Sequence, residues 1–300
     1  MVKIKIEVNN KDISKNFKEN FISLEIIDRD GNATDELNLE IANKIKRPSY
    51  DDVIKIWIDS VFYGSFSVQE SKTNHENTIE IRATGTNFQK ELKVKRNKSW
   101  KKTTLNKILK EKSLSHSLNF KGLKEDIAIT SIIQSNESDL HFLNRLAKEF
   151  DTIFSVKNNT LLFINRTEKL PFFTVNVTQC SAYSIGDVAK KRYDSCKAIW
   201  RDTKENKTLS ITVGDNAPTI TINGSFKSKE EAKKKAVAKL ARTNRGTKRG
   251  TLSKRGEYFS AGGLLNITNS KQDDGLYSIE TVYTRIDPSD GHRVVLEFQN

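Results

Sequence analysis

The stretch SIIQSNESDLHFLNRLAKEF, Ser131 to Phe150, runs through six consecutive polar residues, Gln134 to Asp139, and then becomes an amphipathic helix. Leu140, Leu143, Leu146, Ala147 and Phe150 recur at three- and four-residue steps, which puts them on one stripe that must face a core. Asn136 or Ser138 can cap the helix, Glu137 and Asp139 place negative charge at its positive end, and Lys148 sits near its negative end. Helix-entry chemistry therefore accounts for the acids. A binding role for Gln134 and Glu137 is the competing reading, and the structural one is preferred. The period of 3.6 matters most because the residues on either side follow a period of two.

Upstream, Val2, Ile4, Ile6 and Val8 alternate with polar residues, as do Ile22, Leu24 and Ile26, Ile54, Ile56 and Ile58, and Ile79, Ile81 and Ala83. Short strands with one apolar face suit a small barrel over residues 1–95. From 96 to 170 the period changes. Thr103 or Thr104 begins a short helix through Leu105, Ile108 and Leu109, the Ser131–Phe150 helix follows, and TIFSV and TLLFI flank KNN as a hairpin. Alternation returns over 171–300 at Phe173, Val175 and Val177, at Leu209, Ile211 and Val213, at Ile220 and Ile222, and at Val294, Leu296 and Phe298. One helix interrupts this region at about 229–242. Ser228 and Glu231 form its capping box, and Ala232, Ala236, Val237 and Leu240 form a small-residue stripe. The following TNRGTKRGTLSKRGEYFSAGG reads as a flexible basic loop. The predicted fold class is mainly β with an α/β insert, two tube-like antiparallel β-barrels joined by a small α/β unit.

Three hundred residues suffice for two or three compact domains. The net charge of +13 is concentrated, with ten basic and two acidic residues from Lys90 to Lys112 and twelve and two from Lys227 to Arg255. No apolar run is long enough to span a bilayer, and the alternating N-terminus lacks the pattern of a signal peptide, so folding in a cytoplasm is expected. Cys180 and Cys196 have no metal or redox spacing and read as buried free thiols. His75, His116, His141 and His292 are scattered, Asp51–Asp52 and Asp273–Asp274 sit in turn contexts, and nucleophile and phosphate-loop motifs are absent. The expectation is a non-enzyme with no cofactor and no metal.

The segments KRNKSWKKTTLNKILKE, QSNESDLHFLNRLAKEFDTIFSVKNNTLLFIN and LYSIETVYTRIDPSDGHRVVLEFQN, with RPSYDDVIKIWID and GSFSVQE before them, resemble the tail protein D family of contractile-tailed phages, also called late control protein D. The specific element is R-x-x-S-W-x-x-T-T-L followed about thirty residues later by Q-x-N-E-S-D-L-x-F-L-x-R-L-A, a pattern that generic propensity does not produce. Its residues Ser99, Trp100, Thr103, Thr104, Gln134, Glu137, Asp139, Leu143 and Leu146 are read as structural. The resemblance implies a baseplate hub related to the hub portion of type VI secretion spike proteins. Such a chain has two barrels and forms a homotrimer whose six barrels make a pseudo-sixfold ring between a hexameric tail tube and a trimeric spike. Related secretion spikes continue into a β-helical needle, whereas this sequence ends at Asn300, so a separate spike protein is implied. Contacts with the tape measure and other baseplate proteins are also implied, as is a place in the virion tail after assembly in the host cytoplasm. Phage, defective prophage and tailocin stay open.

Two other functions compete. A nucleic-acid binder would use the basic segments on phosphates, but aromatic interleaving is thin, so protein contact is favoured. A cell-wall-degrading tail component would need an acid pair in a cleft-forming domain, for which the sequence has no spare length. For the second basic segment, Lys233, Lys234, Arg242, Arg245 and Arg249 are the candidate partner-facing residues, against the alternative of a solvated face.

Overall fold

The chain was analysed as a computed structural model, which describes residues 2–30, 34–85, 92, 94–157, 160–166, 168, 171–189, 191–202, 206–226 and 228–300. Lys90 and Lys227, which open the two basic segments, and the Asn158–Asn159 turn of the expected hairpin lie outside the described residues.

Alternation builds the first unit. Strands β1 (Ile4–Val8), β2 (Lys11–Asp12), β3 (Phe21–Arg29), β4 (Glu36–Ala42), β5 (Val53–Ile58), β6 (Val61–Thr73) and β7 (Thr78–Gly85) pair in the order β2-β1-β5-β6-β7-β4-β3. Ile54, Ile56 and Ile58 are almost fully buried, together with Ile6, Leu24, Leu37, Phe66, Val68 and Ile81. Among the described residues the array is not a closed ring, because neither β1 nor β2 pairs with β3. Helix α1 (Ser14–Asn20) packs against β1 and β4 there, and its Phe17 joins the core.

The connecting unit consists of β8 (Lys95–Thr104), α2 (Leu105–Ser115), β9 (Asn119–Lys121), β10 (Ala128–Ser138), α3 (Asp139–Phe150), β11 (Thr152–Lys157) and β12 (Thr160–Asn165). β8 and β10 form a two-stranded ribbon, and β11 and β12 are the antiparallel pair expected of the hairpin, with β9 parallel to β12. Both helices press their apolar stripes into one cluster with Trp100, Phe154, Leu161 and Phe163.

The remaining strands divide. β13 (Phe172–Asn176) and β14 (Ala182–Asp187) precede β15 (Ser195–Asp202), β16 (Lys207–Val213), β17 (Thr219–Asn223) and α4 (Lys229–Asn244). β18 (Lys248–Arg255), β19 (Leu264–Thr268), β20 (Gly275–Asp287) and β21 (Gly291–Gln299) follow. β13-β19-β20-β21-β18-β14 form the second array around Val175, Leu265, Ile279, Leu296 and Phe298. It also stays open, since β13 and β14 do not pair.

The mainly β class stands, with three corrections. The barrels are open and continuous with each other, because β20 pairs with β3, Ile286 opposite Leu24 and Thr281 opposite Arg29, making one 13-stranded sheet. The strands at 209–213 and 220–222 lie outside the second array. They form a separate sheet, β16-β15-β17, around Cys196, Ala198, Trp200 and Phe226 under Ala232 and Ala236 of α4. Alternation marks a strand but does not say which sheet it joins. Finally, the expected basic loop contains strand β18, which lies between β14 and β21. Its basic residues hid the signal, because Leu252 is buried while Arg249 and Arg255 point outward. At Gly250 a Cβ would lie 2.6 Å from the Phe298 ring and 2.7 Å from the Ser184 carbonyl oxygen, so only glycine fits.

Candidate functional site

The ribbon β8–β10 positions the motif residues. Trp100 opposes Ile132 and Lys98 opposes Gln134, after which the register slips by one residue before Glu137 opposes Arg96. This bulge passes through Asn136 at φ 46°. It lets the Gln134 amide donate to the Glu137 carbonyl at 2.9 Å and to Asp139 Oδ1 at 2.7 Å. Ser138 then caps α3, accepting the His141 N–H at 3.2 Å.

Asp139 is the hub of the network and is 1% exposed. Lys112 Nζ lies 2.5 Å from its Oδ1 and His116 Nε2 2.9 Å from its Oδ2, while Arg96 Nε lies 3.6 Å from Oδ2. Lys112 also donates to Gln134 Oε1 at 2.8 Å. Burial alone would push the Asp139 carboxyl up. The hydrogen bonds from Lys112, Gln134 and His116 outweigh it and hold the group below the usual carboxylate range. Above this cluster Trp100 stacks on Phe142, centroids 5.2 Å apart, and donates its indole N–H to Glu111 at 2.9 Å. The Lys112 ammonium sits 5.2 Å from the Trp100 ring centre. A lysine, a histidine and an aspartate in contact could exchange protons. All three are at least nine-tenths buried.

Glu137 does more than face a helix dipole. It is 11% exposed and takes Arg145 Nη2 at 2.5 Å, and the same guanidinium donates to the Ile133 carbonyl at 2.8 Å and to Glu149 at 2.9 Å. Leu143 and Leu146 are fully buried. Ser99 is exposed and Thr103 half-buried. Thr104 occupies the N-cap position of α2 without accepting a cap hydrogen bond, and Asp126 instead accepts the Asn106 N–H at 2.9 Å. Lys112, His116 and Arg145 escaped notice in the sequence. Their signal was present for two of them, because Lys112 and His116 continue the Leu105, Ile108, Leu109 stripe at helical spacing.

The basic residues of the second segment are not equivalent. Lys233, Lys234 and Arg249 are exposed. Arg242 and Arg245, expected on the partner-facing band, turn toward α3 in the same chain. Arg242 Nη1 donates to the Lys148 carbonyl at 2.6 Å and Arg245 Nη2 to Asp151 at 2.7 Å. The carbonyl end of α3 attracts Arg242 because its last C=O groups lack helical partners, and Arg245 meets the Asp151 carboxylate just beyond it. A further junction is half-buried among the units, where Lys157 pairs with Asp28, whose other oxygen accepts the Ala261 N–H at 2.8 Å. Beside it Asp35 is pushed up to about 7 by burial and by the Asp28 charge. Among the described residues, no three metal-ligating side chains come together and no helix is long and apolar enough to cross a membrane.

An antiparallel array fused edge to edge with a second, and an α/β unit between them in sequence, make up a fold that this chain shares with solved phage tail proteins. The tail protein of Neisseria meningitidis MC58 superimposes with a TM-score of 0.77 at 12% identity, covering 100% of this chain and 96% of that one. The 43 kDa tail protein of prophage MuSo2 from Shewanella oneidensis gives 0.74 at 14% identity, covering 99% and 98%. An E. coli type VI secretion component, described as similar in structure to T4 tail proteins gp27 and gp5, gives 0.59 at 10% identity, covering 99% and 76%. In sequence, the chain is similar to the "Probable baseplate hub protein" of Escherichia phage 186, 27% identical over 221 residues, and to that of Escherichia phage P2, 28% over 224. Each match covers 67% of this chain but only 57% and 56% of those relatives, so the chain spans little more than half their length. No protein-family model matches the chain. The resemblance to phage tail hubs and type VI spike-related proteins read from the motifs is borne out.

Proposed function

We propose that this chain is a baseplate hub subunit of a contractile phage-type tail, acting as a structural, non-enzymatic scaffold. The observation that carries the reading is the β3–β20 pairing, which makes two open arrays one continuous sheet and so gives each chain two fused, comparable β units. Three such chains in a ring present six units toward a hexameric tail tube and three toward a trimeric spike, a match that closed heterologous contacts allow. The sequence similarity to two baseplate hub proteins supports the same reading. The sealed Lys112–Asp139–His116 network supports a scaffold over a catalyst, because its charges are matched internally. On this proposal the partners are two further copies, the tube protein, a spike and neighbouring baseplate or tape-measure proteins. The location is the virion tail after assembly in the host cytoplasm.

Negative-stain imaging of purified particles with an antibody against this chain tests the placement. Label confined to the spike end of the tail is expected, and label along the tube, at the head, or absent from particles would contradict it.

A further inference from the structure

We infer that the described residues of 193–244, with the Arg245 that follows them, form an inserted lobe held against the connecting unit by an electrostatic latch that rising salt opens, leaving the lobe folded. The lobe has its own core, in which Ala232 and Ala236 of α4 pack on Cys196, Ala198 and Trp200. Its two chain crossings meet at one neck. There the Asn244 side chain accepts the Tyr193 N–H at 2.9 Å and donates to the Tyr193 carbonyl at 2.6 Å. Gly246, at φ +76°, follows immediately, where a residue with a side chain would be strained.

Outside the lobe, α4 packs chiefly on α3. Helical spacing separates two faces of α4, with Ala232 and Ala236 toward its own sheet and Lys235, Ala238 and Arg242 on a second stripe, which Arg245, the extended residue that ends the helix, continues. That second stripe carries the docking. Arg242 closes the Lys148 carbonyl at 2.6 Å, Arg245 pairs with Asp151 at 2.7 Å, and Lys235 lies 3.7 Å from Glu149 and 5.9 Å from the Phe150 ring centre. Ala238, only 6% exposed, is the one small apolar residue at the centre of the stripe. The lobe's core is therefore apolar, whereas its docking face is mostly ionic. Salt weakens the second far more than the first, since screening shortens the reach of charge from about 10 Å at 0.1 M to about 3 Å at 1 M.

The test is thiol labelling of the full chain carrying Ala238→Cys, with the modified peptides identified by mass spectrometry so that Cys180 and Cys196 are read separately. Labelling of position 238 should be slow at low salt and rise about tenfold or more at 1 M sodium chloride. Adding Asp151→Asn should raise the low-salt rate and flatten the salt dependence. Ala236→Cys, beneath the lobe's own sheet, is the reference and should stay protected at both salts. A salt-independent rate at position 238 would overturn the inference. So would equal salt-induced exposure of position 236, because that would mean the lobe unfolds and does not undock.

Discussion

Lys112 Nζ and Asp139 Oδ1 lie 2.5 Å apart across 27 residues of chain, tying the last turn of α2 to the first turn of α3. Both side chains are buried, so neither charge can be solvated if the other is lost. Asp139→Ala should therefore destabilise the protein by about 3–5 kcal/mol near neutral pH, as removal of one partner from a buried pair does. The double variant Lys112→Met with Asp139→Leu should recover part of that loss. Chemical denaturation of the two variants checks this. A loss under about 1 kcal/mol for Asp139→Ala would mean the pair is not buried in solution.

Glu137 and Arg145 set a graded comparison with the core beneath them. Leu143→Ala and Leu146→Ala should each cost about 2–5 kcal/mol, as deletions from a filled core do. Glu137→Gln keeps one acceptor for Arg145 but loses the charge, so about 1.5 kcal/mol is expected, the low end of the range for hydrogen bonds to charged groups. Denaturation midpoints at matched slopes give the ranking. A Glu137→Gln protein of native stability that cannot assemble would move Glu137 from the fold to an interface.

Acid sensitivity from His292 and Asp139 has one sign, while Asp35, pushed up to about 7, gains stability as pH falls from about 7 toward 4 and so opposes the His292 window. Burial depresses the His292 pKa, with the Asp59 charge opposing, and neither ring nitrogen has a hydrogen-bond partner. The unfolded chain therefore binds a proton that the folded chain resists, and stability falls as pH drops below about 6.5, by no more than about 1.4 kcal/mol per pH unit for one group. Asp139, also depressed, adds a second loss as pH falls below about 4. His292→Leu should remove the first window and leave the second, read by denaturation at a series of pH values. An unchanged pH profile in the variant would assign the loss to other groups.

Charge reversal separates the exposed cations of α4 from the docked ones. Arg245 is 17% exposed and bound to Asp151, so Arg245→Glu should cost about 1.5–3 kcal/mol or undock the lobe. Lys234→Glu, on the exposed face, should fold with native stability and impair tail assembly in a salt-dependent way if that face meets an acidic partner. Assembly yield across a salt series is the readout. Native assembly by Lys234→Glu at every salt would leave that face merely solvated.

Much of the strand content was legible because burial of one face imposes a period of two, and Ile54, Ile56 and Ile58 are as buried as their spacing demands. The Ser228 cap of α4 and the Ser138 cap of α3 were legible for the same local reason. What escaped was non-local or masked by polarity. Helix α1 has only Phe17 to show for its burial, too little for a stripe. The β3–β20 pairing joins residues from opposite ends of the chain, and no local pattern encodes a partner strand. Lys112 was read only as the end of a basic segment although its place on the Leu105–Leu109 stripe pointed inward. Arg242 and Arg245 were given to a partner because charge alone does not say which acidic surface, internal or external, receives it.

The central claim is that this chain builds a hub ring in which fused β units reconcile threefold and sixfold neighbours. The most direct measurement is the copy number of the chain in purified tails, from quantitative mass spectrometry against the tube protein or a reconstruction of the baseplate. The account predicts three copies per tail. One copy, or six, would contradict it.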